Sequence, residues 1–214
     1  MPSIEGFIVE ARKFALVLKQ RNRTRRGSAR SDGRPYCHAA CINGWTKLGS
    51  GYYGEAWAHR DYPGLVCKVS GPQGWGYGQS TVRSSLEDYG YRADAWAAFA
   101  ELCLTHRNVH LPEVYHFERL SRGVQFACMK RYEAYWGGSS FAGLQKVKDI
   151  LTGETDCTLP WLRPLINVAA RDNVRCDLHE QNVMWDAQMQ TWVIIDPFSS
   201  NGSTCPAIVQ NGRA

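Results

Sequence analysis

The 214-residue sequence has no apolar run approaching the ~20 residues that span a bilayer. A helical membrane span is therefore not expected. The first stretch also lacks the apolar centre of a signal peptide, because Glu5, Glu10 and Arg12 interrupt it. Paired Cys-x-x-Cys motifs are absent, and the eight cysteines stand scattered at 37, 41, 67, 103, 128, 157, 176 and 205. The expectation is a cytoplasmic chain whose cysteines are reduced, most of them small buried hydrophobes. Cys37-His38-x-x-Cys41 has the form of half a zinc site, but no second half matches it. A chain-wide surplus of one charge is absent too. The net charge of +5 comes from residues 1–34, where nine Lys/Arg stand against Glu5, Glu10 and Asp32. The rest of the chain carries sixteen Lys/Arg against seventeen acids. This pattern excludes a global nucleic-acid-binding surface and leaves a near-neutral body with a basic leader.

What is present suits a globular protein of one two-lobed domain or two small ones: 44% hydrophobic and 21% charged residues in a length that buries a real core. Residues 3–20 place Ile4, Phe7, Ile8, Ala11, Phe14, Ala15 and Leu18 at helical spacing after a Ser3 cap. Such a helix must lie on something, and the body of the same chain is the expected partner. Residues 21–35 are rich in Arg, Ser and Gly without a large apolar side chain, and read as a linker. Within them, Ser28 follows Arg25-Arg26-Gly27, a context that suits phosphorylation. The other readings are a plain solvated spacer and a weak contact with an acidic partner or nucleic acid through this basic leader.

Ordered chain is expected to resume near Trp45. Trp45–Leu48 leads into Gly49-Ser50-Gly51-Tyr52-Tyr53-Gly54, then Glu55–His59, a turn at Asp61–Gly64, and Leu65–Val69. This reads as strand, glycine turn, strand, turn, strand. A strand after the glycines excludes the dinucleotide-binding turn, which opens a helix. Glycines in such a flap let backbone N–H groups approach phosphate. Lys68 shares a strand face with Val66 and Ser70, opposite Cys67 and Val69. It is either an ordinary solvent-facing lysine or a phosphate contact. A helix is expected over 85–107, with Trp96, Phe99 and Cys103 on one side and Asp94, Ala97, Ala98 and Glu101 on another. Strands follow at 111–115 and 124–129, a crossing segment at 130–135, and helices at 139–151 and 159–174.

The most informative stretch is Arg175–Ser199. Asp177 precedes Asn182 by five residues, and Asp196 lies fourteen further on. Val183-Met184-Trp185 and Trp192–Ile195, joined by a polar bridge, read as a β-hairpin. A carboxylate and an amide before a hairpin, with a second carboxylate after it, can converge on one spot. Either they cap turns, or they carry metal-assisted phosphoryl transfer.

The order of glycine flap, strand lysine, helix with carboxylates, strands, helices, Asp-x4-Asn, hairpin and Asp resembles the protein-kinase-like fold from about Leu48 to Ser199. Within it the sequence is most similar to the small early-gene serine/threonine protein kinases of short-tailed bacteriophages. The resemblance lies in Leu48-Gly49-x-Gly51, Lys68, Asp94–Phe99, Leu111-Pro112-x-Val114-Tyr115, Asp177-x-His179-x-x-Asn182 and Asp196-Pro197-x-Ser199. It implies an α+β, two-lobed kinase-like fold. Residues 1–44 form a helical and basic leader, 45–132 an antiparallel-sheet N-lobe and 133–214 a reduced helical C-lobe. It also implies roles. Gly49, Ser50, Gly51 and Gly54 cover the phosphates of ATP, and Lys68 contacts the α- and β-phosphates. Met129 and Lys130 belong to an adenine hinge at 128–133. Asp177 is the base, and Asn182 and Asp196 hold Mg²⁺. Asp94 pairs with Lys68, with Glu101 and Glu87 as the other choices. The implied partners are host proteins of the transcription or translation machinery, with Ser28 a site of autophosphorylation.

Departures from the pattern are visible. Arg175-Cys176-Asp177 stands for His-Arg-Asp, Asp196-Pro197-Phe198 for Asp-Phe-Gly, and no Ala-Pro-Glu follows. His179 two residues after the base occurs also in aminoglycoside-type kinases, so a small-molecule acceptor is a second reading. A non-catalytic kinase-like inhibitor of a host protein is a third.

Overall fold

The structure, a computed structural model, describes residues 3–25, 41–50, 54–70, 95–120, 124–135, 141–172 and 174–199. Two compact units are present: Met1–Ser84 with Val114–Arg131, and Ser85–Glu113 with Tyr132–Ala214.

In the first unit, Asn43 and Gly44 take positive φ angles of 49° and 85°. They close a hairpin between β1 (Cys41–Ile42) and β2 (Trp45–Ser50). An Asn-Gly pair suits this two-residue turn because both positions need left-handed backbone. Ordered chain is expected from Trp45, and the described sheet already begins at Cys41. The sheet continues through β3 (Gly54–His59), β4 (Leu65–Ser70), β5 (Val114–Arg119) and β6 (Gln125–Lys130). Its spatial order is β1-β2-β3-β4-β6-β5, with every pairing antiparallel. The expected triplet around the glycine turn is β2, β3 and β4. β5 starts three residues later than expected. Pro112 has no N–H to offer a ladder, and the Leu111 N–H donates to the Asn108 carbonyl instead, at 3.0 Å.

One sheet face carries Trp45, Trp57, Cys67, Val69, Phe126 and Cys128, packed with Phe7, Ala11, Phe14, Ala15 and Leu18 of α1 (Ile4–Arg25). Phe14 stacks on Trp45 at 4.5 Å and meets Trp57 edge-on at 5.0 Å. Most of a helix's stability in a folded protein comes from packing of its apolar face rather than from propensity. Burying each such aromatic side chain contributes about 1.5–3 kcal/mol, so the helix is held by the sheet. The Gly6 N–H donates to the Ser3 hydroxyl at 3.1 Å, the expected cap. α1 therefore belongs to the sheet unit rather than to a separate leader. It also runs to Arg25, five residues into the expected linker, because Arg and Gln are good helix formers and the linker's first glycine comes at position 27. Ser28 lies outside the described residues.

On the same face, the Lys47 ammonium meets the Glu55 carboxylate at 2.6 Å, with side-chain exposures of 11% and 5%. Glu55 also accepts from the Trp57 indole N–H at 3.2 Å. Lys47→Met strands a buried anion and is expected to cost about 3–5 kcal/mol in urea unfolding. Adding Glu55→Gln should recover most of it. A loss below about 1 kcal/mol for the single variant would show that the pair is solvated.

The second unit holds α2 (Ala95–Thr105), α3 (Phe141–Thr152) and α4 (Arg163–Asp172). Its strands are β7 (Glu133–Ala134), β8 (Arg175–Cys176), β9 (Val183–Asp186), β10 (Thr191–Ile194) and β11 (Phe198–Ser199). They form a three-stranded sheet, β10-β9-β7, and a two-stranded one, β11-β8. The fold class is the expected α+β, with an antiparallel-sheet unit and a small helical one. By contacts, Ser85–Glu113 groups with the helical unit. There α2 packs on α4 and β11, and Phe99 meets Phe198 edge-on at 6.3 Å. α2 is buried on more sides than expected: Ala97 and Ala98 are buried beside Trp96, Phe99 and Cys103, and Glu101 is exposed. Small alanines let neighbouring elements approach on both sides. Residues 85–94, with Glu87 and Asp94, lie outside the described residues.

Cys67, Cys103, Cys128, Cys157 and Cys176 are free. Burial pushes the Cys67 thiol well above its usual range, and its hydrogen bond with Cys128 adds to this. Cys103 is raised by burial, with Arg107 opposing. Thiols held protonated are poor nucleophiles and metal ligands, so they act here as small core residues. No helix among the described residues is long and apolar enough to cross a membrane. Cys37-His38 lies outside them.

Candidate active site

α4 ends where the Val174 N–H donates to the Ala169 carbonyl at 3.1 Å. The chain then enters β8, leaves it at Asp177, and makes a 3₁₀ turn at Glu180–Asn182 before β9. Leu178 is buried while Asp177 and His179 on either side are exposed. One apolar anchor thus turns two polar side chains outward.

Three backbone connections tie this loop to the far end of the hairpin. β8 pairs with β11 through Cys176 and Phe198. The Asp177 N–H donates to the Pro197 carbonyl at 2.8 Å, and the Ile195 N–H donates to the Asn182 carbonyl at 2.9 Å. Asp196 therefore lies between Ile195 and Pro197, which are bonded to Asn182 and Asp177. The backbones of the three residues, separated by up to nineteen positions in sequence, are thus brought near one another.

The Asn182 side chain is oriented by its own bonds. Its Nδ2 donates to the Asp177 carbonyl at 2.8 Å and lies 3.1 Å from His179 Nε2, which accepts. An amide whose nitrogen is engaged twice has its oxygen left as the acceptor. Asn182 and Asp196 then offer hard oxygen donors of the kind that suit Mg²⁺, which is held through one or two side chains together with phosphate oxygens. Among the described residues, no cluster of three or more His, Cys, Asp or Glu is placed to hold a metal.

The hairpin that carries Asp196 is braced at two points. At its tip, the Asp186 carboxylate accepts from the N–H groups of Gln188 and Met189 at 3.0 and 3.1 Å, and Gln190 takes a φ of 52°. Along β10, the Ile194 N–H donates to the His110 carbonyl at 2.9 Å. The His110 ring stacks on Trp192 at 4.0 Å, with its Nδ1 3.1 Å from the Trp192 carbonyl. Sequence reasoning gave His110 no role, and no local signal marks it, since its partner is eighty-two residues away. Removing the ring by His110→Ala is expected to cost about 1–2 kcal/mol, the sum of a stack and a hydrogen bond. Thermal unfolding measures this, and an unchanged midpoint would remove His110 from the scaffold.

A cavity of about 450 Å³ adjoins this loop, between Leu144, Gln145 and Lys148 of α3 and residues 178–181. It was not expected from the sequence.

The remaining candidates belong to the first unit. Lys68, central in β4, has Ala56 and Ala127 as its cross-strand neighbours. Val66 on the same face pairs with Met129. Lys68 stands as expected on the face opposite Cys67 and Val69, among small side chains. Lys130 is the last residue of β6. Gly49 sits at an irregularity in the β2–β3 register and has open space where a Cβ would stand. Gly54 has a packing reason of its own, because a Cβ there would come within 2.7 Å of the Val69 carbonyl oxygen. Gly51 and the side chain of Ser50 lie outside the described residues. Glu101 bears electrostatically on Arg171, whose guanidinium is raised first by its hydrogen bond to Asp172.

No protein-family model matches this chain, and no curated protein sequence matches it. Among solved structures, it is similar to the Mycobacterium tuberculosis PknI kinase domain, with 17% identity and a TM-score of 0.39. The match covers 82% of this chain and 64% of that domain. A cysteine-to-alanine variant of the same domain matches with 18% identity and a TM-score of 0.36, over 82% and 65%. The chain thus spans less than two thirds of either domain.

Proposed function

We propose that this chain is an ATP- and Mg²⁺-dependent phosphotransferase of the protein-kinase-like type, acting on serine or threonine hydroxyls of proteins. The observation that carries the reading is the convergence of Asp177, Asn182 and Asp196, with the Asn182 amide fixed by two hydrogen bonds. ATP supplies the phosphoryl group, and the ion bound with it neutralises charge on the phosphates. Asp177, exposed at the end of β8, orients the acceptor hydroxyl and takes up its proton. The Asn182 amide oxygen and the Asp196 carboxylate hold the ion. Lys68 is assigned to the phosphates, with the β2–β3 glycines covering them. Its alanine neighbours favour this role, since a flat base needs space beside the lysine. Met129 and Lys130 are assigned to the base, and Asp94 to the lysine. Host proteins, in the bacterial cytoplasm during phage infection, are the proposed acceptors by resemblance.

A second reading, transfer to a small-molecule hydroxyl, is favoured by the cavity beside His179, whose volume falls within the range of ~300–1,000 Å³ typical of small-ligand sites. One experiment tests both. Wild type and Asp177→Asn are incubated with labelled ATP and bacterial lysate, and protein and metabolite fractions are compared. Label on protein Ser/Thr only with wild type supports the first reading. Label on metabolites alone supports the second. No transfer to either refutes phosphotransferase activity.

A further inference from the structure

We propose that the cavity between α3 and residues 178–181 seats an apolar side chain of the acceptor polypeptide, close to the hydroxyl that receives phosphate. The inference rests on the proposed transfer to protein hydroxyls and names what selects the acceptor. The cavity, of about 450 Å³, lies wholly within the second unit. One wall is α3, and the other starts at Leu178, the residue after Asp177. Residues 178–181 stand at most about 15 Å of chain from Asp177, at ~3.8 Å per residue. An extended acceptor advances about 3.3 Å per residue. The side chain that enters the cavity therefore lies within about five residues of a hydroxyl held at Asp177.

The lining chooses the occupant. Leu144 and Leu178 are buried and supply an apolar floor. Around it stand one cation, Lys148, and one anion, Glu180, both exposed. Among the described residues neither side chain has an ion-pair partner, and the two do not pair with each other. Asp149, the acid of α3, is taken by Gln145, whose amide nitrogen donates to it at 2.6 Å. His179 adds no charge, because the Nε2 that accepts from Asn182 belongs to the neutral ring, with its proton on Nδ1. A polycationic acceptor of the aminoglycoside type calls for several acids, and the lining holds one. A phosphate-rich ligand calls for several cations, and the lining holds one beside an acid. A basic side chain gains from Glu180 and loses to Lys148, and an acidic one the reverse. An apolar side chain meets neither penalty and leaves water against the two leucines. The Gln145 amide oxygen, left over from the bond to Asp149, is an acceptor for the backbone N–H of the same polypeptide.

The test uses the full chain and peptides that carry one serine in a run of alanines, with Leu, Arg or Glu placed at one flanking position at a time. Binding is read by fluorescence anisotropy, and transfer from labelled ATP is read separately. At the position that reaches the cavity, Leu is expected to tighten binding about tenfold over the all-alanine peptide. Arg and Glu there should change it less than about twofold. Glu180→Gln leaves the cation alone and should favour the Glu peptide over the Arg peptide about two- to fivefold at low salt. Lys148→Gln should reverse that order. Both side chains are exposed and unpaired among the described residues, so neither change removes a contact of the fold. A merely structural role for them would leave the order unmoved. Absence of a Leu preference, a wild-type preference for Arg or Glu, or no reversal between the two variants would overturn the proposal. Leu-selective binding without transfer would keep the peptide site and refute the proposed phosphotransfer. Transfer to every peptide alike would keep the phosphotransfer and refute the site.

Discussion

Asp177→Asn is expected to reduce phosphoryl transfer about 10²–10⁴-fold, the usual contribution of a positioned general base. The substitution is nearly isosteric. In the structure the Asp177 backbone, not its side chain, makes the bonds that hold the loop: its N–H to Pro197 and its carbonyl to the Asn182 amide. Those bonds survive the change, so the folded structure and its melting temperature should be retained. The effect should fall on kcat, with the KM for ATP little altered, because the assigned role concerns the acceptor hydroxyl. A variant that transfers phosphate at the wild-type rate would end the assignment. A variant that loses activity together with its melting transition would show that the carboxylate serves the scaffold.

The second large effect concerns the pair assigned to the metal. Asp196→Asn removes an anion from the ion and should raise the Mg²⁺ requirement and slow transfer, together about 10²-fold or more. Asn182→Asp gives a sharper test, since it adds a negative charge. On charge alone it should strengthen Mg²⁺ binding. The geometry predicts the opposite. The Asn182 nitrogen donates to the Asp177 carbonyl at 2.8 Å, and a carboxylate oxygen in its place meets that carbonyl with no hydrogen to share. A buried or half-buried acceptor facing another acceptor is unfavourable by about 1–3 kcal/mol, and the side chain must turn away. Asn182→Asp is therefore expected to bind Mg²⁺ at least tenfold more weakly, read by titration of activity and by calorimetry with the ATP complex. Tighter binding would mean that the amide is not held as described.

These two predictions mark how far the sequence carried. The convergence of Asp177, Asn182 and Asp196 was legible because it is local: a short loop, a hairpin with polar turn residues, and strand ends two positions apart. The same holds for Lys68, whose strand alternation alone placed it opposite Cys67 and Val69. The helices at 139–151 and 159–174 were legible from periodicity, and they appear as α3 and as a 3₁₀ turn at Pro160–Leu162 followed by α4. The Asn43-Gly44 hairpin was equally local and was simply passed over.

By itself, then, the sequence determined where carboxylate, amide and amine side chains stand along the chain, where most of the described strands and helices lie to within a few positions, and that the first thirty-four residues hold the charge surplus. Each of these follows from residue type and short-range spacing. The tertiary structure decided what depends on partners distant in sequence. It laid α1 on the sheet through Phe14, Trp45 and Trp57, and let the helix run on past its apolar seam. It joined Ser85–Glu113 to the helical unit, where α2 packs against α4 and β11. It set His110 against Trp192, and turned the Asn182 amide by means of His179 and a backbone carbonyl. The physical reason is common to all four. Burial of an apolar seam and satisfaction of a polar atom are properties of the pair, and the spacing of either member alone does not contain them.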